Sequence, residues 1–487
     1  MKKYEKVFPK DYETWYEENE IYRKQVAADP DRLKIHLMPE TGWMNDPNGL
    51  CQFKGEYHIY YQYTPFEPTG ELKLWGHYKT RDFISYEQCQ PVLFPDSDED
   101  AHGVYSGSAF CEGGKIHFFY TGNVKLFDRP DYDYINSGRV SNTMYVTSED
   151  GMHFSEKKRL MTNSDYPADI SAHVRDPKII KREDGYYMVL GARDKDSKGL
   201  VLVYRSDDLI NWNYHGRITT ENAFGYMWEC PDLFELDGQL CLICCPQGVE
   251  KQGYDYWNVH QCVFIPLDYD FRPGTYVLKS MDCIQMVDRG FDFYAPQTFE
   301  DQQGRRILIG WMGIPDADYT NPTAEKGWQH ALTIPRQLHV RDGKLYQEPL
   351  KELEALCCCK QTFVKGKWDQ TAEAKLPECA KVQVDFENCK NLELCIGDSI
   401  KLVYKDTILT LDMGDCGSGR TVRKAVLDQL RNITLFADTT SLEFFINEGS
   451  QVFTTRVYGR KDKAVFTGNC KAQIQIWKMN GFEMKRG

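Results

Sequence analysis

One pattern limits this chain more than any other: a glycine turn leading straight into a strand rich in aromatic and aliphatic residues. It begins as Gly55-Glu56-Tyr57-His58-Ile59-Tyr60-Tyr61 and returns as Gly114-Lys115-Ile116-His117-Phe118-Phe119-Tyr120. It recurs at Gly185-Tyr186-Tyr187-Met188-Val189-Leu190, at Gly238-Gln239-Leu240-Cys241-Leu242-Ile243, and at Gly304-Arg305-Arg306-Ile307-Leu308-Ile309-Gly310-Trp311. Glycine supplies the positive φ that tight hairpins need. Three of these strands are followed by a polar turn closed by an aromatic: Arg81-Asp82-Phe83-Ile84-Ser85-Tyr86, Glu149-Asp150-Gly151-Met152-His153-Phe154 and Asp207-Asp208-Leu209-Ile210-Asn211-Trp212. Repeats spaced by about 50 to 70 residues match a blade of four antiparallel strands. The pattern predicts an all-β fold with a five-bladed β-propeller over residues 32–347. An irregular β-sandwich is the competing reading.

The flanks differ. Tyr12 to Val26 contains no Gly or Pro and is rich in Glu, Tyr, Lys and Gln. It predicts a helical arm within residues 1–31, with helix from about Asp11 toward Lys34 and an end near Asp29-Pro30. After the repeats, Gln347-Glu348-Pro349-Leu350-Lys351-Glu352-Leu353-Glu354 reads as a short helical linker, placed at 348–360. Alternating strands such as Lys381-Val382-Gln383-Val384-Asp385-Phe386 and Ser441-Leu442-Glu443-Phe444-Phe445-Ile446 then predict a β-sandwich over 361–487.

Composition narrows the partners. With 59 basic and 72 acidic residues the net charge is -13, a poor match for nucleic acid or an anionic membrane. That balance still allows a local basic pocket for one phosphate. No stretch approaches the roughly 18 apolar residues of a membrane span. The charged start Met1-Lys2-Lys3-Tyr4-Glu5-Lys6 has no apolar core behind it, so a cytoplasmic protein is expected. The 17 cysteines are odd in number and include the runs Cys244-Cys245 and Cys357-Cys358-Cys359, which suit free thiols better than a disulfide framework. Their spacing does not suggest a zinc site, and no metal or cofactor is expected.

Loops at one end of a propeller channel bring residues from different blades together, and three carboxylates stand in unusual settings. Asp46 lies in Gly42-Trp43-Met44-Asn45-Asp46-Pro47-Asn48-Gly49, where Pro47 and the Asn48-Gly49 turn stiffen the backbone. That suits a positioned nucleophile, although a plain Asx-turn reads the same way. Asp176 lies in His173-Val174-Arg175-Asp176-Pro177-Lys178, where Arg175 is expected to favour its ionised form; a structural turn with a surface ion pair is the alternative. Glu229 lies in Tyr226-Met227-Trp228-Glu229-Cys230-Pro231-Asp232, whose apolar residues are expected to desolvate it and raise its pKa. One ionised and one protonated carboxyl are what glycoside hydrolysis requires.

These motifs resemble glycoside hydrolase family 32, the invertases, fructanases and sucrose-6-phosphate hydrolases. The stretch from His36 to Leu50 is similar to the family's opening signature, and Arg175-Asp176-Pro177 and Glu229-Cys230 to its second and third. Further matches are Trp75-Gly76-His77, Tyr105-Ser106-Gly107-Ser108, Phe291-Asp292-Phe293-Tyr294-Ala295-Pro296-Gln297 and Leu332-Thr333-Ile334-Pro335-Arg336. Phe436-Ala437-Asp438, Glu443-Phe444-Phe445-Ile446-Asn447 and Thr454-Thr455-Arg456 resemble its sandwich domain. The resemblance implies a five-bladed propeller with a sandwich, and cleavage of sucrose or sucrose 6-phosphate. It implies Asp46 as nucleophile, Glu229 as acid/base and Asp176 as transition-state stabiliser. It further implies Asn45, Gln62, Ser106 and Arg175 as fructosyl-binding residues. Trp43, Trp75, Tyr105 and Trp311 are candidate pocket walls, and Met44 is a further substrate-binding candidate. One departure stands out: many invertases and fructanases carry a Trp where this chain has Gly70, in Thr69-Gly70-Glu71-Leu72-Lys73-Leu74-Trp75. The open place directs attention to Lys73, Lys79 or Arg81 as a contact for a glucosyl 6-phosphate, against the alternative of a solvated lysine face. A fructan hydrolase or fructosyltransferase with the same acids is the main rival. A non-catalytic sugar-binding protein and an arabinose-directed furanosidase are more distant.

Overall fold

The computed structural model describes residues 6–368 and 371–487, so the first five residues of the expected arm lie outside the described residues. The arm is two short helices rather than one. Pro9–Glu18 starts with a proline in its first turn, where no N–H is needed, and Asp11 accepts a hydrogen bond from the Phe8 N–H at 2.8 Å. It stops at Asn19, whose side chain donates to the Trp15 carbonyl. Glu20–Ala27 follows and ends well short of Lys34. Pro30 bars the residue before it from helix. Asp29 instead accepts the Trp328 indole N–H at 2.7 Å, tying the arm's end to the body.

The glycine turns do what the repeat requires: each joins the first and second strands of one sheet. The first sheet is Gly42–Phe53, Glu56–Thr64, Leu74–Thr80 and Ser85–Leu93; the second is Val104–Glu112, Lys115–Lys125, Arg139–Ser148 and Lys158–Met161. The third is Ile170–Arg182, Gly185–Asp194, Gly199–Ser206 and Asn213–Thr219; the fourth is Met227–Leu236, Gln239–Gln247, Val263–Leu267 and Gln285–Met286. The aromatic turns join third to fourth strands. There Asp82, Asp150 and Asp208 each accept two backbone N–H groups of the turn.

The fold is a β-propeller, but four blades are resolved rather than the five expected. The irregular sheet is the last. Its second strand, Arg306–Met312, pairs with Ala331–Leu332 at one end and with Arg336–Arg341 at the other. Thr333-Ile334-Pro335 interrupts the third position, and Pro335 has no N–H for a ladder. First strands neighbour one another in a closed ring: Gly42–Phe53 beside Val104–Glu112, then Ile170–Arg182, Met227–Leu236 and Tyr294–Glu300, which returns to Gly42–Phe53.

The expected linker helix is also shorter than its sequence suggested. Gln347 to Pro349 still belongs to a strand, and a 3-10 helix at Lys351–Leu356 makes the connection. Ten strands then form one sheet folded into a sandwich-like unit. Its strands Ala380–Ile396 and Lys463–Met479 pair along most of their length around a large apolar core. Strand Glu483–Arg486 returns to the propeller and pairs in parallel with Ser85–Leu93. No helix among the described residues is long and apolar enough to cross a membrane.

Candidate active site at the channel mouth

The five first strands share one irregularity. Their registers slip between Met44 and Pro47, Tyr105 and Gly107, Arg175 and Lys178, Glu229 and Asp232, and Tyr294 and Gln297. Each slip is a bulge, which bends a strand and re-aims its side chains. Four bulges hold a proline (Pro47, Pro177, Pro231, Pro296), a residue that cannot donate to a ladder. The fifth holds Gly107, where a Cβ would lie 2.0 Å from the Phe119 carbonyl oxygen. Asp176, Cys230 and Ala295 have φ of 63°, 47° and 45°, a strained setting for a non-glycine residue before proline. The pairs ahead of these positions are Asn45-Asp46, Tyr105-Ser106, Arg175-Asp176, Glu229-Cys230 and Tyr294-Ala295. They supply most of the polar groups at the mouth, and Asp46, Ser106, Asp176, Cys230 and Ala295 line one cavity in the channel.

Asp46 is held by a closed set of hydrogen bonds. Asn45 Nδ2 donates to Asp46 Oδ1 at 2.9 Å and to Gln62 Oε1 at 3.0 Å; Gln62 donates to Ser106, and Ser106 donates to Asp46 Oδ2. Trp43 Nε1 fixes the amide of Asn45 by donating to its Oδ1 at 2.9 Å. Burial pushes the Asp46 carboxyl above its ordinary range; the Ser106 and Asn45 hydrogen bonds oppose the shift and the Glu229 charge adds to it.

The Arg175 charge favours ionised Asp176, as the sequence suggested, but its hydrogen bonds go elsewhere. Its guanidinium turns to Glu229, with Nε and Nη2 donating to Oε1 at 2.9 and 2.7 Å. Its Nη1 lies 3.0 Å from His173 Nδ1. His173 is buried beside that cation, and burial with the Arg175 charge lowers its pKa to about 2, so it stays neutral. Asp176 accepts the Cys230 N–H at 2.8 Å, and burial raises its pKa to about 7 despite the Arg175 charge; Glu229 and Asp46 push the same way as burial. The expected ionised Asp176 is therefore corrected to a carboxyl that titrates near neutrality.

The setting of Glu229 is corrected too. Trp228 alternates to the other face of its strand, is fully buried, and donates to the Phe224 carbonyl. Glu229 meets polar groups instead: Gln247 Nε2 and Tyr294 Oη both donate to Oε2 at 2.7 Å. Cys230 Sγ lies 3.8 Å from Asp46 Oδ2, so the three acids, from three strands, surround one corner.

The walls divide into two groups. Trp43 and Trp311 face each other with ring centres 5.9 Å apart, and Tyr105 is half-buried at the mouth. Met44 is no substrate contact: it is fully enclosed in the core between the arm and the first sheet. Trp75 is enclosed among Tyr60, Phe118 and Tyr120, and its indole donates to the Tyr105 carbonyl, so it supports a wall rather than forming one. Lys79 pairs with Glu87 and Arg81 with Glu56 at the outer strands of the first sheet. Lys73 stays at the mouth, with Nζ 5.0 Å from the Trp43 ring centre. The sequence reading missed Gln247 and His330, whose ring stands edge-on to Trp43 at 4.2 Å, and gave Tyr294 no role. Tyr294 precedes Ala295-Pro296 as Glu229 precedes Cys230-Pro231, and that alignment would have found it.

The model of the glycosyl hydrolases family 32 N-terminal domain matches residues 36–349, and that of the family 32 C terminal matches 409–480. The sucrose-6-phosphate hydrolase of Bacillus subtilis is 36% identical over 480 residues, covering 95% of this chain and 97% of that protein. That of Staphylococcus xylosus is 35% identical over 485 residues, covering 95% and 94%. The solved sucrose-6-phosphate hydrolase of Lactobacillus gasseri superposes with a TM-score of 0.86 at 28% identity, covering 99% of both chains. A mutant family 32 β-fructofuranosidase of Bombyx mori, solved with sucrose, superposes with a TM-score of 0.81 at 28% identity, covering 97% of this chain and 99% of that one.

Proposed function

The chain belongs to glycoside hydrolase family 32, and from that premise we propose that it hydrolyses the β-fructofuranosidic bond of sucrose and sucrose 6-phosphate with retention, using Asp46 as nucleophile and Glu229 as acid/base. The observation that carries this reading is the convergence of Asp46, Asp176 and Glu229 on the Cys230 corner. Asp46 attacks the anomeric carbon while Glu229 passes its proton to the bridging oxygen, the bond to that oxygen breaks, and the glucosyl part leaves as an alcohol. Water then attacks the same carbon, Glu229 takes the water's proton, and Asp46 departs. Asn45, Gln62 and Ser106 fix the attacking carboxylate and lie where fructosyl hydroxyls exchange into their network. Arg175 holds Glu229 Oε1, and Tyr294 and Gln247 donate to Oε2, fixing the orientation of the carboxyl. Asp176 supports the oxocarbenium-like transition state.

The same reading takes the interrupted sheet as a fifth blade, because five first strands close one ring and each carries the same bulge. It divides the chain into an arm at 1–31, a propeller at 32–347, a connector at 348–360 and a sandwich at 361–487. It sets the enzyme in the cytoplasm, which suits 17 cysteines that are all free thiols.

Proton NMR of early sucrose hydrolysis tests the chemistry. Equimolar glucose and fructose are expected, with β-fructofuranose appearing before mutarotation spreads the signal. The α anomer first would remove Asp46 from its role, and tight sucrose binding without reducing sugar would make the chain a binding protein.

A further inference from the structure

We propose that His173 is a positioning residue for the acid/base: through Arg175 it ties Glu229 to the loop at residues 126–138 of the second sheet, so that this loop orients the acid that protonates the leaving oxygen; this rests on the catalytic reading above. The loop joins Lys115–Lys125 to Arg139–Ser148 and reaches across to the third sheet. There the Tyr134 carbonyl lies 3.1 Å from His173 Nε2, and the Ile135 carbonyl accepts the Ala172 N–H at 2.9 Å. Arg175 carries the link onward: Nη1 lies 3.0 Å from His173 Nδ1, while Nε and Nη2 hold Glu229 Oε1. Loop, imidazole, guanidinium and carboxyl form one line across three sheets.

Strand geometry makes the link possible. His173 and Arg175 are two apart in Ile170–Arg182, so their side chains share a face, while Val174 between them points into the core. The two contacts also fix the ring's proton. A guanidinium can only donate, so Nδ1 must accept; a carbonyl can only accept, so Nε2 must carry the hydrogen. A cationic ring would have no lone pair for Arg175. Burial and the charges of Arg175, Arg139 and Arg193 keep the ring neutral, as this arrangement requires.

The loop is a firm anchor for this ring. His173 is buried, and the Tyr134 ring stands edge-on to it at 5.0 Å. Arg139 packs against Tyr134, with its guanidinium carbon 4.4 Å from the ring centre. Asp133 folds the loop by accepting the Ile135 and Asn136 N–H groups at 2.7 and 3.1 Å. Without the imidazole, Arg175 Nη1 loses this acceptor and the guanidinium can tilt out of the fork that holds Glu229. A misplacement of about 1 Å at a reacting group can cost about 100-fold. Gln247 and Tyr294 would still hold Oε2, so the loss should be partial.

His173→Leu and His173→Asn, assayed on sucrose and on an aryl β-fructofuranoside whose phenolate leaves without a proton, test the proposal. In His173→Leu, kcat/KM should fall about 10- to 100-fold on sucrose and no more than about 3-fold on the aryl substrate, because only the first needs the acid. His173→Asn, whose Oδ1 can accept from Arg175, should recover part of the loss. Equal losses on both substrates would make His173 a structural support, and an unchanged sucrose rate would remove the link; either overturns the proposal. Should these variants not fold, the wild type decides: heteronuclear NMR should show the His173 ring neutral and protonated at Nε2 from about pH 5 to 8. A cationic ring or a proton on Nδ1 is decisive against it. Glu229→Gln is the control: it should show the same split between substrates, and if it does not, the catalytic reading fails rather than the link to the loop.

Discussion

The channel mouth and the seam between propeller and sandwich are built from the same materials and behave in opposite ways. At the seam, His36 lies between Asp438 and Glu443 at 2.8 and 2.9 Å, and Arg336 reaches Glu443 at 2.7 Å and Asp288 at 3.1 Å. Asp438 also accepts the N–H groups of Lys34 and Ile35, and Glu443 that of Ile334. Burial alone would push both acids up, but these cations and hydrogen bonds outweigh it and hold them below their ordinary range. At the mouth, half-buried Asp46 and buried Asp176 are pushed up instead. Acids matched by cations and donors form a fixed joint. At the mouth the Arg175 guanidinium bonds Glu229, and Asp46 and Asp176 are left with less to offset their burial.

Breaking each region should show the contrast. Asp46→Asn should cost at least about 10⁴-fold in kcat/KM on sucrose, since nothing else at the corner replaces a nucleophile. Its thermal unfolding should match or exceed the wild type, because a poorly compensated, half-buried acid is removed; a large stability loss would put Asp46 among the structural acids. Asp438→Ala should do the reverse, destabilising by about 3–5 kcal/mol in denaturant titration because it strands His36 and two backbone N–H groups. If it lost activity at full stability, the division between regions would be mistaken.

A smaller effect separates the two by pH. Burial lowers the His36 pKa, but its hydrogen bonds to the Asp438 and Glu443 carboxylates outweigh that and raise it from 6.5 to about 9. Its contribution is complete below pH 6.5, declines as pH rises, and is gone above about 9, a loss of up to about 3 kcal/mol. Activity should instead fail on the acid side, with a limb above the ordinary carboxylate range of about 4, since Asp46 must be ionised to attack. Stability that stayed level from pH 6.5 to 9 would show that His36 is not held charged.

Local residue order made much of this legible. Glycine turns marked where first strands end and second strands begin, and the Asp82, Asp150 and Asp208 turns marked the far hairpins, because both depend on backbone geometry set within a few residues. Asp46, Asp176 and Glu229 stood out for the same reason, each beside a proline or one residue from it. Misreadings arose where neighbours in sequence were taken for neighbours in space. Arg175 adjoins Asp176 but serves Glu229, and Trp228 adjoins Glu229 but faces the core. Met44 sits between Trp43 and Asn45 yet belongs to the other side of the strand.

The order of residues by itself determined the repeating strand pairs and singled out three candidate acids near prolines, since these follow from short-range sterics and residue chemistry. Only the tertiary structure decided which charges meet. Partners such as Arg175 and Glu229, 54 residues apart, or His36 and Glu443, 407 apart, are brought together by closure of the channel and docking of the sandwich. Whether a buried carboxyl is held ionised or left to share a proton depends on that assembly, because burial and Coulomb forces act through space and not along the chain.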